Sequence, residues 1–130
     1  MKYAYPAVFS PEENGWYSVR FPDIPGCFTN GESLADSISM AEDALALILY
    51  EYEADGKPVP PVSKPETIQI NPGEIVSFVC ADTMEYRKRF NKKAVKKTLT
   101  IPEWLNEKAI QANVNFSQVL QDALIGLLKV

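Results

Sequence analysis

The chain has 130 residues, of which 46% are hydrophobic and 23% charged, with a formal net charge of −4 and no histidine. The missing histidine excludes a Ser-His-Asp triad and zinc sites with histidine ligands, and no phosphate-binding GxxxxGK[ST] or GxGxxG loop is present. No apolar run approaches the roughly 20 residues of a membrane span. The first residues do not resemble a signal peptide, so we expect a cytoplasmic protein that binds no membrane. We also expect no metal and no cofactor.

The first elements predict a β-hairpin. The segment from Tyr3 to Phe9 reads as a strand with alternate residues, Tyr3, Tyr5, Ala7 and Phe9, on one side. From Trp16 to Phe21 apolar and polar residues alternate, and turn residues separate the two segments. Pro6 favours an edge position for the first strand because proline cannot donate to a sheet ladder. A short third strand is expected at Cys27–Thr29, and both Cys27 and Cys80 are expected to be reduced thiols in the core.

A long amphipathic helix is predicted next. Ser33 is the expected N-cap, with Asp36 three residues later, and Gly56 is the expected end. The predicted buried stripe follows the 3.6-residue period. It consists of Leu34, Ile38, Ala41, Leu45, Ile48, Leu49 and Tyr52.

The rest of the first domain is predicted to be extended. Lys57–Pro65 is rich in proline and cannot be helical, and strands are expected at Thr67–Ile70 and Ile75–Ala81. Residues 1–82 would then form a small α+β domain of antiparallel strands with one long helix. Residues 83–94 are polar and are expected to be a hinge.

Residues 95–130 predict a second, smaller domain made of one strand and two helices. The strand is Lys96–Ile101, the first helix begins at Pro102, and Asn115 caps the second. Such a short unit has no strand partner of its own, so we expect a homodimer in which two copies of the strand pair antiparallel. A two-stranded ribbon of this kind fits the major groove of DNA.

Charge divides the chain in the same way as the predicted elements. Residues 1–86 contain 4 Lys/Arg against 14 Asp/Glu, whereas residues 87–130 contain 9 against 3. This asymmetry indicates two partners of opposite charge, a basic protein for the acidic part and a nucleic acid for the basic part.

Two sequence blocks resemble the HicB antitoxins of bacterial toxin–antitoxin pairs. The first is NGWYSVRFPDIPGCFTNGESLADSISMAEDAL at Asn14–Leu45, and the second is KKTLTIPEWLNEKAIQANVNFSQVLQDAL at Lys96–Leu124, which looks like a ribbon-helix-helix DNA-binding unit. The resemblance implies a partial RNase H-like N-terminal domain that covers a HicA-type toxin, a small basic ribonuclease that cleaves mRNA. It also implies that the dimer, or a higher oligomer, binds operator DNA and represses its own operon. Asn113 and Phe116 depart from the glycine and arginine common in relatives.

The candidate DNA-binding residues lie on the strand and at the start of the last helix. Lys96, Thr98 and Thr100 would contact base edges if Leu99 and Ile101 face inward. Phosphate would be held by Lys97, within the basic run from Arg87 to Lys97, and by the helix start. That helix start comprises Asn115, Phe116 and Ser117. The alternatives are a solvated strand face, a solubilising hinge and simple helix capping.

Four carboxylates, Asp23, Glu42, Asp43 and Asp82, are candidate ligands of an RNase H-like metal pair. The first strand lacks the carboxylate that such a site requires, so we expect neither a catalytic residue nor a metal site. No toxin-binding residue is assigned, although an outward Trp16 or Arg20 would suit a protein interface. A stand-alone transcription regulator and a degenerate nuclease remain as alternative functions.

Overall fold

The computed structural model describes residues 1–130 and divides them into two compact units, Met1–Lys92 and Lys93–Val130, called here the N-terminal and C-terminal units. The N-terminal unit contains strands and helices in the order β1 (Lys2–Pro11), β2 (Tyr17–Arg20), β3 (Phe28–Gly31), α1 (Leu34–Ala54), β4 (Ile75–Asp82) and α2 (Thr83–Phe90). The C-terminal unit contains α3 (Glu103–Gln111) and α4 (Phe116–Leu128). The α+β class is confirmed. None of the helices combines the length and the apolar composition of a membrane span.

The four strands form one antiparallel sheet in the order β3-β2-β1-β4. The predicted hairpin is confirmed, but the predicted edge position of β1 is wrong, because β1 lies between β2 and β4. Pro6 pairs with Phe78 of β4, and pairing with β2 begins only at Val8. Pro6 therefore lies beyond the end of β2, where its missing N–H removes no bond from that ladder.

Helix α1 begins and ends at the predicted residues. The Ser33 hydroxyl accepts a hydrogen bond from the Asp36 N–H at 3.1 Å. At the other end Gly56 has a φ of +67°, and the Lys57 N–H donates to the Tyr52 carbonyl at 2.9 Å. These bonds satisfy backbone groups at both ends of the helix, as expected for an N-cap and a glycine-terminated C-cap.

The buried stripe of α1 is shorter than predicted. Ala41, Leu45 and Leu49 are fully buried against the sheet, but Leu34 and Ile38 are 41% and 39% exposed. The first turns of α1 border a groove of about 200 Å³ that opens beside β4. Packing of these two residues is therefore incomplete in a single copy of the chain.

Close approach between β3 and α1 explains why a serine and a glycine are buried at their contact. Ser37 is fully buried, and its hydroxyl donates to the Leu34 carbonyl at 2.7 Å. A Cβ atom placed on Gly31 would lie 2.4 Å from the Ser37 backbone nitrogen and 2.5 Å from its Cα. Only glycine therefore fits at position 31.

The predicted strand at Thr67–Ile70 is wrong. Pro65–Thr67 forms a 3₁₀ turn, and the following residues are not paired with any strand. Side chains of the sheet and its turns hold the connector instead, since the Tyr5 hydroxyl donates to the Pro60 carbonyl and Asp23 accepts from the Ser63 N–H at 2.8 Å. β4 consequently forms the outer edge of the sheet.

The first part of the expected hinge at residues 83–94 is helix α2. Asp82 caps this helix by accepting from the Met84 N–H at 3.0 Å. Thr83 is 1% exposed, and its hydroxyl donates to Glu53 of α1 at 3.0 Å. The polar composition of this segment predicts a hinge, but Asp82 caps it as a helix and the buried Thr83 attaches it to α1.

Cys80, which is expected in the core, lies on the sheet face that α1 does not cover, and so does Phe28 of β3. Cys80 is exposed, and Phe28 is 74% exposed, because side chains alternate between the two faces of a strand. Cys27 is buried as predicted, and burial raises the pKa of its thiol to about 11. The thiol of Cys27 is therefore protonated at neutral pH.

Glu74 joins the start of β4 to β1 and β2. It accepts hydrogen bonds from both terminal nitrogens of Arg20, at 2.7 and 3.3 Å, from the Asn71 N–H at 2.7 Å, and from the Ser10 hydroxyl. The Arg20 hydrogen bond contributes most, followed by the bonds from Asn71 and Ser10, and together they lower the pKa of Glu74 to about 2.

This network predicts an acid-sensitive contribution to folding. A carboxylate whose pKa is lowered on folding stabilises the native state above its unfolded pKa, and that stabilisation is lost as the pH falls from about 4.5 toward about 2. Chemical denaturation across this window should show a loss of stability in the wild type that is smaller in Glu74→Gln. Identical pH profiles for the two proteins would contradict the assigned role of Glu74.

Candidate functional site

The predicted DNA-reading segment is extended and unpaired in the single chain. Residues 96–101 form no strand ladder, and the side chains of Lys96, Thr98 and Thr100 are exposed with no hydrogen-bond partner. Leu99 and Ile101, expected to face inward, are 61% and 42% exposed. Both faces of this segment are thus open, and its role in DNA binding stays a prediction.

The two helices of the C-terminal unit are joined by a short turn. Asn113, which stands where the HicB resemblance implies glycine, has a φ of +54°. The Val114 N–H donates to the Ala109 carbonyl at 3.0 Å and closes the end of α3. Asparagine tolerates this left-handed conformation better than other non-glycine residues, so the departure from the family pattern is compatible with the turn.

The start of α4 presents free backbone donors. Asn115 caps the helix as predicted, and its side chain accepts from the Gln118 N–H at 3.0 Å. Phe116 and Ser117 are exposed, and their N–H groups, which belong to the first turn, have no partner in the structure. Such a helix start can bind an anionic group.

The C-terminal unit has no buried side chain. Neither α3 nor α4 contains a buried residue, although both carry apolar faces. Trp104 is 66% exposed and Leu127 is 76% exposed. So short a unit does not form its own core, and the apolar faces of α3 and α4 are open in the single chain.

The cations of the basic run that begins at Arg87 fall into two groups, those paired within the chain and those that form no ion pair. Arg87 approaches Glu53 at 3.6 Å and lies over the Tyr50 ring, and Lys88 forms an ion pair with Glu85 at 3.1 Å. The charges of Arg87 and Lys88 are therefore paired with carboxylates of the N-terminal unit, to which both residues belong. Exposed cations that form no ion pair follow the end of α2. They are Lys92, Lys96 and Lys97.

The exposed carboxylates of α1 have no basic neighbour on their own helix. α1 contains no lysine or arginine, and Glu42, Asp43 and Glu51 are exposed and form no ion pair. With 8 Lys/Arg against 14 Asp/Glu, the N-terminal unit has a net charge of −6. Its surface therefore favours a basic partner.

The four carboxylates considered as metal ligands are not brought together. Asp23 accepts hydrogen bonds from the Ser63 hydroxyl at 2.5 Å and from the Ser63 N–H at 2.8 Å, in the connector. Asp82 caps α2. Glu42 and Asp43 lie on the exposed face of α1, and no group of three potential ligands occurs in the chain. Asp23 and Asp82 thus have structural roles that explain their positions.

The outward side chains of β2 and its flank are partly engaged within the chain. Trp16 is 40% exposed, whereas Ser18 donates to Glu12 at 2.9 Å and Arg20 is held by Glu74. Trp16 is the member of this group with no polar partner. A protein interface at this face stays a prediction.

Fold and charge together define a two-unit protein with an acidic α+β body and a small helical unit that lacks a core. A family model described as the HicB-like antitoxin of bacterial toxin–antitoxin systems matches residues 5–124. The chain therefore belongs to the HicB-like antitoxin family.

Individual relatives agree with this family. Antitoxin HicB 2 of Photorhabdus laumondii is 37% identical over 76 residues, which are 58% of this chain and 54% of that protein. The chain thus spans about half the length of this curated relative. A toxin–antitoxin complex from Streptococcus pneumoniae contains a chain with a TM-score of 0.65 and 25% identity, covering 97% of this chain and 99% of that one. A HicA3 and HicB3 toxin–antitoxin complex contains a chain that is 32% identical, with a TM-score of 0.50. The match covers 62% of this chain and 99% of that chain.

Proposed function

We propose that the chain is an antitoxin that binds and neutralises a HicA-type toxin, an mRNA-cleaving ribonuclease, and represses its own operon by binding operator DNA as a dimer. The observation that carries this proposal is the family match across residues 5–124. Similarity to a chain of the HicA3–HicB3 complex supports the choice of toxin class. The proposed roles divide between the two units.

The N-terminal unit is the proposed toxin-binding part. Its net charge of −6 and the unpaired carboxylates of α1 complement a small basic ribonuclease. Electrostatic attraction of this kind accelerates association and disfavours acidic partners. Neutralisation follows if the bound antitoxin blocks access of mRNA to the toxin, without chemistry by this chain.

The C-terminal unit is the proposed dimerisation part. Two copies of residues 96–101 would pair antiparallel, which gives each strand the hydrogen-bond partner that it lacks alone. Pairing would also bring Leu99 and Ile101 of both copies to one face, against the apolar sides of α3 and α4. The absence of any buried side chain in the single unit supports this arrangement.

The outer face of that ribbon is the proposed DNA-reading surface. With Leu99 and Ile101 inside, alternation directs Lys96, Thr98 and Thr100 outward. Lysine and threonine can both contact base edges in the major groove. Phosphates would be bound by Lys97 and by the open N–H groups at the start of α4.

Lys97 and Arg87 are predicted to differ in how they affect the salt dependence of DNA binding, because only Arg87 is paired within the chain. The logarithm of the DNA-binding constant falls linearly with the logarithm of the salt concentration. Lys97→Ala should make this slope shallower by about one for each lost phosphate contact, hence by about two per dimer. Arg87→Ala should leave that slope unchanged and lower the melting temperature, because Arg87 contacts Glu53 and Tyr50. Equal slopes for Lys97→Ala and wild type in DNA-binding titrations would contradict the phosphate contact.

Separation of the two roles can be tested with a fragment. Residues 1–92 form one compact unit, so this fragment should fold, bind the toxin and lose operator binding. Circular dichroism establishes folding, and co-expression with the toxin measures neutralisation by cell growth. A folded fragment that neither binds the toxin nor protects cells would contradict the proposed assignment of the N-terminal unit.

A further inference from the structure

We propose that the outer face of α1 is the surface on which the basic toxin docks, an inference that rests on the proposed function. Five exposed residues follow one another along this face at intervals of three or four, so that carboxylates and apolar side chains alternate. At about 1.5 Å per residue, this row extends over about 22 Å. The row is called here the outer strip of α1 and consists of Asp36, Met40, Asp43, Leu47 and Glu51.

The outer strip lies on the side of α1 that faces away from the sheet. Residues spaced by three, four or seven positions share one face of a helix. Ala41, Leu45 and Leu49 form the face that packs on the sheet, and all three are fully buried. Met40 and Leu47 lie on the other side and are 41% and 44% exposed. The strip therefore holds two large apolar side chains in solvent.

Helix α2 leaves the outer strip open. It packs against α1 through Tyr86, whose ring centroid lies 5.2 Å from that of Tyr50, and through Thr83 and Arg87, which both contact Glu53. Because a helix completes a turn in about 3.6 residues, Tyr50 and Glu53 lie to one side of the strip. The ion pair between α2 and α1 thus involves a carboxylate that is not in the strip.

The charge of the outer strip is not balanced within the chain. Acidic side chains on a solvated helix are stabilised by lysine or arginine three or four positions away, but α1 contains neither, and Asp43 and Glu51 form no ion pair. The last turn of α1 also contains Glu51 and Glu53 and no basic residue, although the negative end of the helix dipole favours cations there. Cations of a bound partner would relieve both unfavourable arrangements.

Charge and apolar surface together select the kind of partner. The carboxylates of the strip repel a nucleic acid, and a second copy of the strip would bring carboxylates against carboxylates. A purely polar cation would leave Met40 and Leu47 in water. The strip therefore fits a protein surface that alternates lysine or arginine with apolar side chains, which is the chemistry expected of a small basic toxin. Leu47, between the carboxylates of Asp43 and Glu51, would be the buried anchor of this contact.

Leu47→Arg tests the anchor in the full-length chain. Leucine and arginine have similar helix propensities and Leu47 is exposed, so the melting temperature and operator binding should stay as in the wild type. The variant loses an apolar anchor and sets a cation against the basic toxin, so we expect toxin affinity to fall by about thirtyfold or more. The matched control is Ile70→Arg in the connector, at a residue that is 45% exposed. It should weaken toxin binding by less than about threefold.

Asp43→Asn combined with Glu51→Gln tests the carboxylates of the strip. We expect the association rate with the toxin to fall about tenfold at low salt and to match the wild type at high salt, because the attraction is screened. Glu13→Gln combined with Glu66→Gln removes the same charge from exposed carboxylates outside α1 and should change the rate by less than about twofold. Equal effects of the two double variants would show that only net charge attracts the toxin and would overturn the proposal.

The binding partner in both experiments is the small basic protein that co-purifies with the wild-type chain and arrests growth when expressed alone. If the wild type and Leu47→Arg bind this toxin equally well, the docking surface is wrong and the antitoxin function stands. If Leu47→Arg lowers the melting temperature, the comparison of the two double variants decides instead. If the wild-type chain binds no such toxin, the proposed function is wrong and the docking surface is wrong with it.

Discussion

Replacing Lys96, Thr98 and Thr100 together with alanine should abolish specific operator binding and leave the N-terminal unit folded. A good bidentate base contact contributes about 1–3 kcal/mol of discrimination, and a dimer loses the three side chains twice. We therefore expect affinity for the operator to fall by about a hundredfold or more, to the level of unrelated DNA. These side chains are exposed and unbonded in the single chain, so their removal should not affect folding.

Binding to unrelated DNA is the internal control for this variant. Phosphate contacts by Lys97 and the start of α4 should persist, so weak, salt-dependent binding should remain. Mobility-shift titrations with operator and scrambled duplexes measure both quantities in one experiment. Unchanged preference for the operator in the triple variant would show that base readout comes from other residues.

Gly31→Ala should produce a large loss of stability through a single methyl group. The added Cβ would lie 2.4 Å from the Ser37 backbone nitrogen, which belongs to α1 and cannot rotate away. Overpacking of a buried site costs typically about 1–3 kcal/mol, and this clash with backbone should reach the upper part of that range. Such a loss is a large share of the about 5–15 kcal/mol that stabilises an ordinary domain.

The neighbouring Asn30→Ala is the matched control for Gly31→Ala. Asn30 is exposed and its side chain forms no hydrogen bond, so its replacement should change the free energy of unfolding by less than about 0.5 kcal/mol. Urea denaturation of the two variants measures the difference. Equal stability of Gly31→Ala and wild type would show that β3 and α1 can separate at no cost.

Sequence patterns predicted the elements whose signals are local. Ser33, Gly56 and Asn115 mark helix ends through their own chemistry, and the structure places each of them at the expected end. The hairpin followed from alternation over two neighbouring segments. The order β3-β2-β1-β4 did not follow, because β4 pairs with β1 across more than sixty residues of chain, and Pro6 seemed to require an edge.

Residues whose role depends on distant partners were missed. Glu53 and Glu74 looked like ordinary acidic residues, yet one binds Thr83 and Tyr3 and the other binds Arg20. The polar composition of residues 83–94 concealed α2, which is stabilised by contacts with α1. A glycine at the end of a strand, two residues before the helix cap Ser33, was a signal for the close approach at Gly31.

The candidate site was predictable in part. Alternation selected Lys96, Thr98 and Thr100, whose role stays a prediction, and the cap at Asn115 is confirmed. The DNA contacts and the ribbon stay predictions, because they involve a partner or a second chain. The RNase H-like relationship of the N-terminal unit also stays a prediction. Exposure of Leu99 and Ile101 is the property that the ribbon hypothesis requires of the single chain.

The most direct test of the proposed function is a pull-down of the tagged full-length chain from its native cells at mild salt, with the mass and stoichiometry of co-purifying protein. We expect a small basic protein at near-equal amount that arrests growth when expressed alone and is tolerated when this chain is co-expressed. Recovery of a homo-oligomer that carries only DNA, with no such protein, would contradict the antitoxin function and favour a stand-alone regulator.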